Sequence, residues 1–535
     1  MGYIRSPAAP VPPRAIHDHP SAAHGGTSGE RPDRTVVVLG AGVAGLSAAY
    51  ELQRLGVPVE VVEGSRRLGG RIHTFRFGDS ADAPFAELGA MRIPAGHHHT
   101  LRYVAELGLA EELRSFHSLL ADKNAFLRTA ETYVRLHDAA SRLIAEIRQS
   151  LPHDRYHPET LMFGAWLTLV VDAIAPPDQR QDLRRDLRTR LLDCVERLNL
   201  APFVRDGGSA FDLHGVFAAH PSLREACHGP LRGFLDDILL ETSTELFRLR
   251  GGMDQLVRRL ARRIRGPIHR QHVVVGLEAR PDEVLVHLRV AGRHVVRRCS
   301  EVLCTLPFSV LRGLRLTGFS DEKLDVIHHV KYVPATKVAL HCREPFWQRE
   351  GINGGASSSG GRVRQTYYPP IDGDPAYGAV LLASYSVGED AELLGRMSAA
   401  ARYAAVLADL APMHPQLLHP GMVLNARSLA WGQFPWSRGG CSVHWGMDAA
   451  EAEQQRMRAQ RPEGRLFFAG EHCSSRPAWI DGAIESALDA VSRIVMQVPA
   501  TTMPDKDFVP ESAVLPGCAG QARRAAVPVC TELVG

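Results

Sequence analysis

The chain is 535 residues long, more than one ordinary domain holds, so two or three domains are expected. Its hydrophobic fraction of 45% is normal for a soluble globular protein, and a net charge of +3 gives nucleic acid or any other polyelectrolyte no reason to bind. Nine scattered cysteines show neither Cys-x-x-Cys nor zinc spacing; they read as reduced thiols, so a cytoplasmic protein without a metal is expected.

Residues 1–33 lack the apolar core of a secretory signal and predict a disordered leader, although Gly2 to Ser6 fit the permissive myristoylation pattern. Order is predicted from Arg34. "TVVVL" (35–39) reads as a short strand buried in a parallel sheet. "GAGVAG" follows, then a helix with Leu46, Leu52 and Leu55 on one face and Gly56 as its stop, then a second strand in "VPVEVVEG" (57–64). This βαβ unit holds a complete G-x-G-x-x-G. Gly40 permits the tight turn, Gly42 admits a pyrophosphate to the backbone, and Gly45 lets helix and strand pack closely. The helix N-terminus beside Ala44 turns free amides and a positive dipole end toward phosphate. Glu63 ends the second strand, where a carboxylate accepts from ribose hydroxyls and repels a 2′-phosphate. A dinucleotide other than NADP is expected.

Past Gly64 comes "GGRIHT" (69–74), where Gly70 and Arg71 suggest a second approach to the diphosphate. "AELGAMRIP" (86–94) sets Arg92 among apolar residues, where a guanidinium must find an anion. That anion is either one carried by a substrate or a protein carboxylate, Glu87 being the near candidate. The run His97–His99 reads as a helix-start loop, because consecutive side chains do not converge on one ion. Residues 100 to about 235 read mainly as helix. In this stretch "GAWLTLVVDAIA" (164–175) is too short to span a bilayer and carries Asp172, so a buried helix and no membrane partner are expected. The Asp/Arg-rich 178–200 and the 255–266 segment, with Leu256, Leu260 and Ile264 as its core stripe, read as solvated helix faces. From about 273 the pattern turns to strands, among them "HVVVGLEA" with Val274, "EVLVHLRVA", "HVVRRCSEVLCTLP", "KVALHC" and "AVLLASYSV". A distant strand–Glu–helix unit, "LFFAGEHCSSRPAWIDGAIES" (466–486), supplies Gly470, Glu471 and a second helix N-terminus at Asp481–Ala483. Such amides suit a flavin's pyrimidine edge, and Glu471 a ribityl or ribose hydroxyl; an NAD site does not need this second half. FAD is therefore favoured.

Together "VVVLGAGVAGLSAAYEL", "LGGRIHT", "ELGAMRIP", "LRGGMDQLVRRL" and "FAGEHCSSRPAWIDGAIESA" resemble the flavin-containing amine oxidases, and among them the L-amino-acid oxidases, over roughly residues 34 to 498. The resemblance implies an α/β fold with a Rossmann-like FAD-binding domain, a mixed-sheet substrate domain and a helical insertion. It divides the chain into an FAD-binding domain from 34–70, 244–311 and 460–498, a substrate domain from 71–99 and 312–459, a helical domain at 100–243 and a flexible tail at 499–535. It gives Arg92 and Tyr385 to the substrate carboxylate, with Tyr367 a less certain pocket residue. Lys337 would hold a water beside the flavin, Trp479 would wall the site, and the Ala478 carbonyl would receive the substrate amine. Gly89, Ala90, Met91, Trp431, Ile480 and Ala483 complete the cofactor surroundings. Pro477-Ala478 stands where the family commonly has His-Gly, which stiffens that loop. Counted from Trp431, Cys441 falls on a pocket wall and FAD is non-covalent; counted from its Gly-Gly-Cys letters, it matches a cysteine that bonds flavin covalently in some monoamine oxidases. The implied reaction is oxidation of an L-α-amino acid by hydride transfer, with oxygen as acceptor and a 2-oxo acid, ammonia and hydrogen peroxide as products. The alternatives are a decarboxylating monooxygenase giving an amide, a monoamine or polyamine oxidase, and an inactive flavin-binding protein. An aromatic or aliphatic side chain is the default, with an acidic one if Arg476 turns inward. Dimers are common in the family, so a homodimer is an open expectation.

Overall fold

The computed structural model describes residues 35–496 except 120, 130–131, 152–154, 188–190, 207–209, 228 and 244; the leader, the tail beyond 496 and the myristoylation pattern lie outside them. Residues up to Val491 form one unit by contacts, and of a second unit from Ser492 only the stretch to Met496 is described.

Short β-branched runs with no polar face make the first sheet. Val36–Leu39 is wholly buried and pairs in parallel with Val59–Val62 on one side and Glu301–Cys304 on the other. Ile268–His269 and Leu466–Phe468 complete a five-stranded, all-parallel sheet from opposite edges. Its strands thus come from four distant stretches of chain. Their carboxyl ends run into Gly40, Glu63, Thr305 and Gly470, all on one cavity wall. That is where open parallel sheets present backbone to ligands.

The "HVVRRCSEVLCTLP" stretch splits at Ser300. Arg293–Cys299 is the exposed edge of a four-stranded sheet, whereas Glu301–Cys304 sits in the middle of the buried parallel one. A third sheet of seven strands runs in the order Val423–Ala430, Ala335–Cys342, Ala379–Val387, Arg364–Tyr367, Ala356–Gly360, Phe126–Arg128, Tyr133–Arg135. Its last two strands come from the region expected to be mainly helical, and they extend the sheet by a hairpin. The remainder of that region does form helices around a large apolar core. Pro158–Ile174 is buried nearly throughout, and its Asp172 accepts from Arg184 Nε at 2.7 Å. Of the Asp/Arg-rich stretch, Pro177–Asp186 and Leu192–Val195 are described as helix. Among the described residues no helix is long and apolar enough to cross a membrane.

Candidate active site

A cavity of about 330 Å³ runs from the carboxyl ends of the parallel strands to the seven-stranded sheet and the helix Gly229–Glu241. Its first half is made of backbone. Gly40 adopts φ +104°, a left-handed conformation suited to glycine, and a Cβ there would meet Thr305 Oγ1 at 2.7 Å. A Cβ on Gly45 would stand 2.0 Å from the Gly40 carbonyl oxygen, so helix and turn close only around a hydrogen. Gly45 therefore packs and does not line the cavity, whereas Gly40, Gly42, Ala44, Gly64, Gly70 and Arg71 do. Gly42 and Gly70 face each other, the nearest heavy atom to a Gly42 Cβ being Gly70 Cα at 4.0 Å. The result is a groove bounded by glycines at the amino end of the helix Val43–Arg54, which fits a diphosphate. Each Glu63 oxygen accepts one backbone amide, from Ala41 and from Ser65, both at 2.8 Å. Each keeps a lone pair for a ribose hydroxyl, so the residues present fit the expected dinucleotide.

Glu471 behaves differently from the expectation. It is buried and already used by the protein: Arg71 Nη1 lies at 2.5 Å, Ser442 Oγ at 2.5 Å and the Ala478 amide at 2.9 Å. Burial pushes its carboxyl up, but the Arg71 charge, His472 and the hydrogen bonds from Ala478 and Ser442 together outweigh this and the net displacement is downward. Instead of waiting for a hydroxyl, Glu471 ties the glycine–arginine loop, the strand Cys441–Ser442 and the loop before Trp479 together. Ala478 holds φ +71°, a conformation costly for a residue with a Cβ, of order 1 kcal/mol or more. The expected stiffness after Pro477 takes that form.

The second half is made of side chains. Arg92 is 15% exposed, and its Nη1 donates to Glu241 Oε2 at 2.6 Å. Burial opposes the guanidinium charge, yet the Glu241 carboxylate, with Tyr367 and Tyr385 beside it, more than restores it and the pKa ends above its ordinary value. The protein partner is thus Glu241 and not Glu87, because Glu87 is engaged elsewhere by Thr74 Oγ1 and the Met253 amide. Nε and Nη2 of Arg92 have no protein partner among the described residues, and Arg92 lines the cavity. Tyr367 is also displaced from its expected role. It lines a neighbouring small cavity, and its hydroxyl donates to Glu241 Oε1 at 2.8 Å, bracing the carboxylate that braces Arg92.

Strand register explains the next pair. Lys337 on Ala335–Cys342 lies opposite Tyr385 on Ala379–Val387, with Nζ 4.6 Å from the Tyr385 ring centre. Lys337 is 3% exposed, which rules out a lysine reaching for solvent. Its Nζ donates to the Gly89 carbonyl at 2.7 Å and to that of Glu87 at 3.3 Å. Burial pulls its pKa down to about 7 and pushes that of Glu87 up to about 7, so Lys337 is not a permanent cation at neutral pH. Burial likewise pushes Tyr385 up to about 12 and the Cys441 thiol up to about 12. Both stay protonated, and both line the cavity.

Trp479 stands 5.7 Å beneath the Arg92 guanidinium and packs edge-on against His97, the residue preceding the helix His98–Glu106. Trp431 donates Nε1 to the Leu88 carbonyl at 2.8 Å, which fixes the "ELGAMRIP" turn. Gly89, Ala90, Met91, Val274, Gly470, Ala478, Ile480 and Ala483 also line the cavity. Arg476 turns away from it: Nη1 pairs with the buried Asp481 at 2.9 Å and with the Gly96 carbonyl at 3.2 Å. The premise for an acidic substrate side chain is gone.

Sequence reasoning missed Glu241, Asp237 and Phe234 on the helix Gly229–Glu241, as well as Trp445, Arg364 and Gln365. One signal was present. Asp237 and Glu241 are one helical turn apart beside Phe234, so acidic groups share a face with apolar ones.

A sequence model for the flavin containing amine oxidoreductases matches residues 43–495. The chain is 56% identical over 465 residues to the flavin-dependent L-tryptophan oxidase RebO of Lentzea aerocolonigenes, covering 87% of this chain and 98% of that protein. It is 31% identical over 469 residues to the L-amino-acid oxidase of Mus musculus, covering 86% and 70%. Putrescine oxidase bound to putrescine superposes with a TM-score of 0.58 at 19% identity, over 87% of this chain and 99% of that one. Cyclohexylamine oxidase from Brevibacterium oxydans IH-35A gives the same TM-score, identity and coverage. At that identity the likeness is one of fold.

Proposed function

The chain belongs to the flavin-containing amine oxidoreductases, and from that premise we propose that it is an FAD-dependent L-amino-acid oxidase acting on L-tryptophan or a close indole relative. In this reaction the substrate loses two electrons and a C–H hydrogen to the flavin and becomes an imino acid, water hydrolyses that to a 2-oxo acid and ammonia, and oxygen takes the two electrons to give hydrogen peroxide. The observation that carries it is Arg92: held from one side by Glu241, it keeps Nε and Nη2 for a carboxylate arriving in the cavity. An amine without that carboxylate would leave the fork unanswered. The tryptophan-type side chain is supported by the RebO relative and by the walls of the substrate half, where Phe234 and Trp445 lie 4.9 Å apart.

FAD fits the glycine groove through its diphosphate, Glu63 through its ribose, and the amino end of Ile480–Met496 through its flavin end. When bound it supplies a two-electron acceptor that oxygen can restore. The neutral Cys441 thiol is a poor nucleophile, which favours non-covalent binding.

The chain's own residues do the positioning. Arg92 and the protonated Tyr385 hold the carboxylate, while the Ala478 carbonyl, set by its left-handed backbone, accepts from the amine. The amine must be neutral, since its lone pair forms the C=N bond. Holding a water and a proton at the edge of the site is the role that the family likeness suggests for Lys337. Fixing the carbon skeleton by both ends is what such a site contributes most.

An anaerobic screen of the purified yellow protein against the twenty L-amino acids tests the reading. Bleaching is expected with L-tryptophan and with few others. The oxidised product is expected at the mass of the 2-oxo acid; an amide mass would replace the oxidase by a monooxygenase. Bleaching by a simple amine as fast as by the amino acid would remove the role of Arg92.

A further inference from the structure

The helix Gly229–Glu241 presents two carboxylates to the cavity, one turn apart. Glu241 is spoken for by Arg92 and Tyr367. Asp237 is not absorbed by the mechanism. Its Oδ2 accepts from Trp445 Nε1 at 2.7 Å, which fixes the carboxylate, while Oδ1 has no protein partner among the described residues. Phe234 lies one turn earlier and meets the Trp445 ring at a centroid distance of 4.9 Å and an interplanar angle of 58°. An anchored acceptor oxygen therefore sits beside aromatic walls in the cavity, which Ala173, Ile174 and Val443 also line, while the nearby Glu241 and Arg364 are already engaged by protein partners. Binding pockets take their selectivity from such isolated polar groups.

Resting on the proposed tryptophan-type substrate, we propose that Asp237 Oδ1 accepts the ring N–H of the substrate's indole and sets the enzyme's side-chain specificity. One helical turn, about 5.4 Å, separates Asp237 from Glu241, which holds the carboxylate-binding guanidinium. A two-ring side chain spans that interval from its backbone end. Burial pushes Asp237 up to about 6, so near pH 7 and above it is mostly ionised and can only accept. A substrate whose ring carries no donor would leave a buried carboxylate oxygen unanswered, the kind of mismatch that proteins reject strongly.

The test compares L-tryptophan with its sulfur isostere, L-3-benzothienylalanine, and with 1-methyl-L-tryptophan. The unmodified enzyme is expected to favour tryptophan in kcat/KM by about 100-fold over both. Asp237→Leu is expected to lose about 100-fold on tryptophan while its rate with the isostere holds or rises, which erases the preference. Asp237→Asn keeps an acceptor oxygen and is expected to recover part of it. Equal kcat/KM for tryptophan and the isostere in the unmodified enzyme overturns the acceptor and leaves the tryptophan reading standing. An equal loss on both substrates in Asp237→Leu also overturns it, since only packing would then be at stake. If the unmodified enzyme is bleached by neither and by some non-aromatic amino acid instead, both readings fall.

Discussion

The two halves of the cavity are built on opposite plans. The dinucleotide half uses backbone, with glycines and a strand-end carboxylate close together in sequence and donors fixed by the turn itself. The substrate half uses side chains brought from residues 92, 241, 337, 385 and 479, which lie on one helix, two paired strands and two loops. Backbone sites tolerate no bulk, and side-chain sites tolerate no loss of a partner. Substitutions should therefore damage chemistry in the second half and folding or cofactor retention where the halves join.

The largest effect is expected at the substrate clamp. Arg92→Leu should lower kcat/KM for the amino acid by about 1,000-fold, equivalent to roughly 4 kcal/mol, because it also strands the buried Glu241. Steady-state kinetics on protein that keeps its yellow colour checks this; unchanged kinetics would dissolve the contrast between the halves.

Glu471→Gln comes next and sharpens the contrast, for Glu471 joins both halves. Breaking its buried pair with Arg71 is expected to cost about 3 kcal/mol near pH 7, read from urea denaturation of the holoprotein. The sign with pH follows from the downward displacement of its carboxyl. Its contribution is present above the unfolded value of about 4.3 and fades as pH falls through the lower folded one. The variant should lack that part of the acid sensitivity.

Lys337→Met should slow reoxidation of the reduced protein by oxygen about 100-fold while leaving anaerobic reduction by substrate within a few-fold. In the unmodified protein that rate should fall as pH rises through about 7, where Lys337 loses its charge opposite Glu87. Stopped-flow mixing with oxygen from pH 6 to 8 measures it.

The smallest effect is a gain. Ala478→Gly removes the cost of a Cβ at φ +71° and should stabilise the loop by about 1 kcal/mol, seen as a higher urea midpoint at an unchanged slope.

What was readable in the sequence follows the same division. Gly40, Gly42, Gly45 and Glu63 were legible because one turn of chain dictates their whole geometry. Lys337 and Tyr385 could be named through family resemblance, but their adjacency is a matter of register between two strands, at positions 48 residues apart in the chain. Glu241 as the partner of Arg92 was not legible at all. The pairing crosses 149 residues, and Glu87 lay nearer in sequence while its hydrogen bonds went to Thr74 and Met253. The protein partners of Glu471, which also lines the cavity, were out of reach for a similar reason, since its donors come from Arg71, 400 residues away, and from Ser442. Local pattern fixes backbone shape; it does not say which distant groups will reach a buried charge first.

The pairing of Arg92 with Glu241 also governs how a substrate is found. Two opposite charges 2.6 Å apart cancel at a distance, so the Arg92–Glu241 pair itself projects little field into solvent and does not draw an anion from afar. Selection begins only after the zwitterion is inside, within hydrogen-bonding reach. Capture rates should then depend weakly on ionic strength, unlike those of enzymes that steer their substrates with an uncompensated cation.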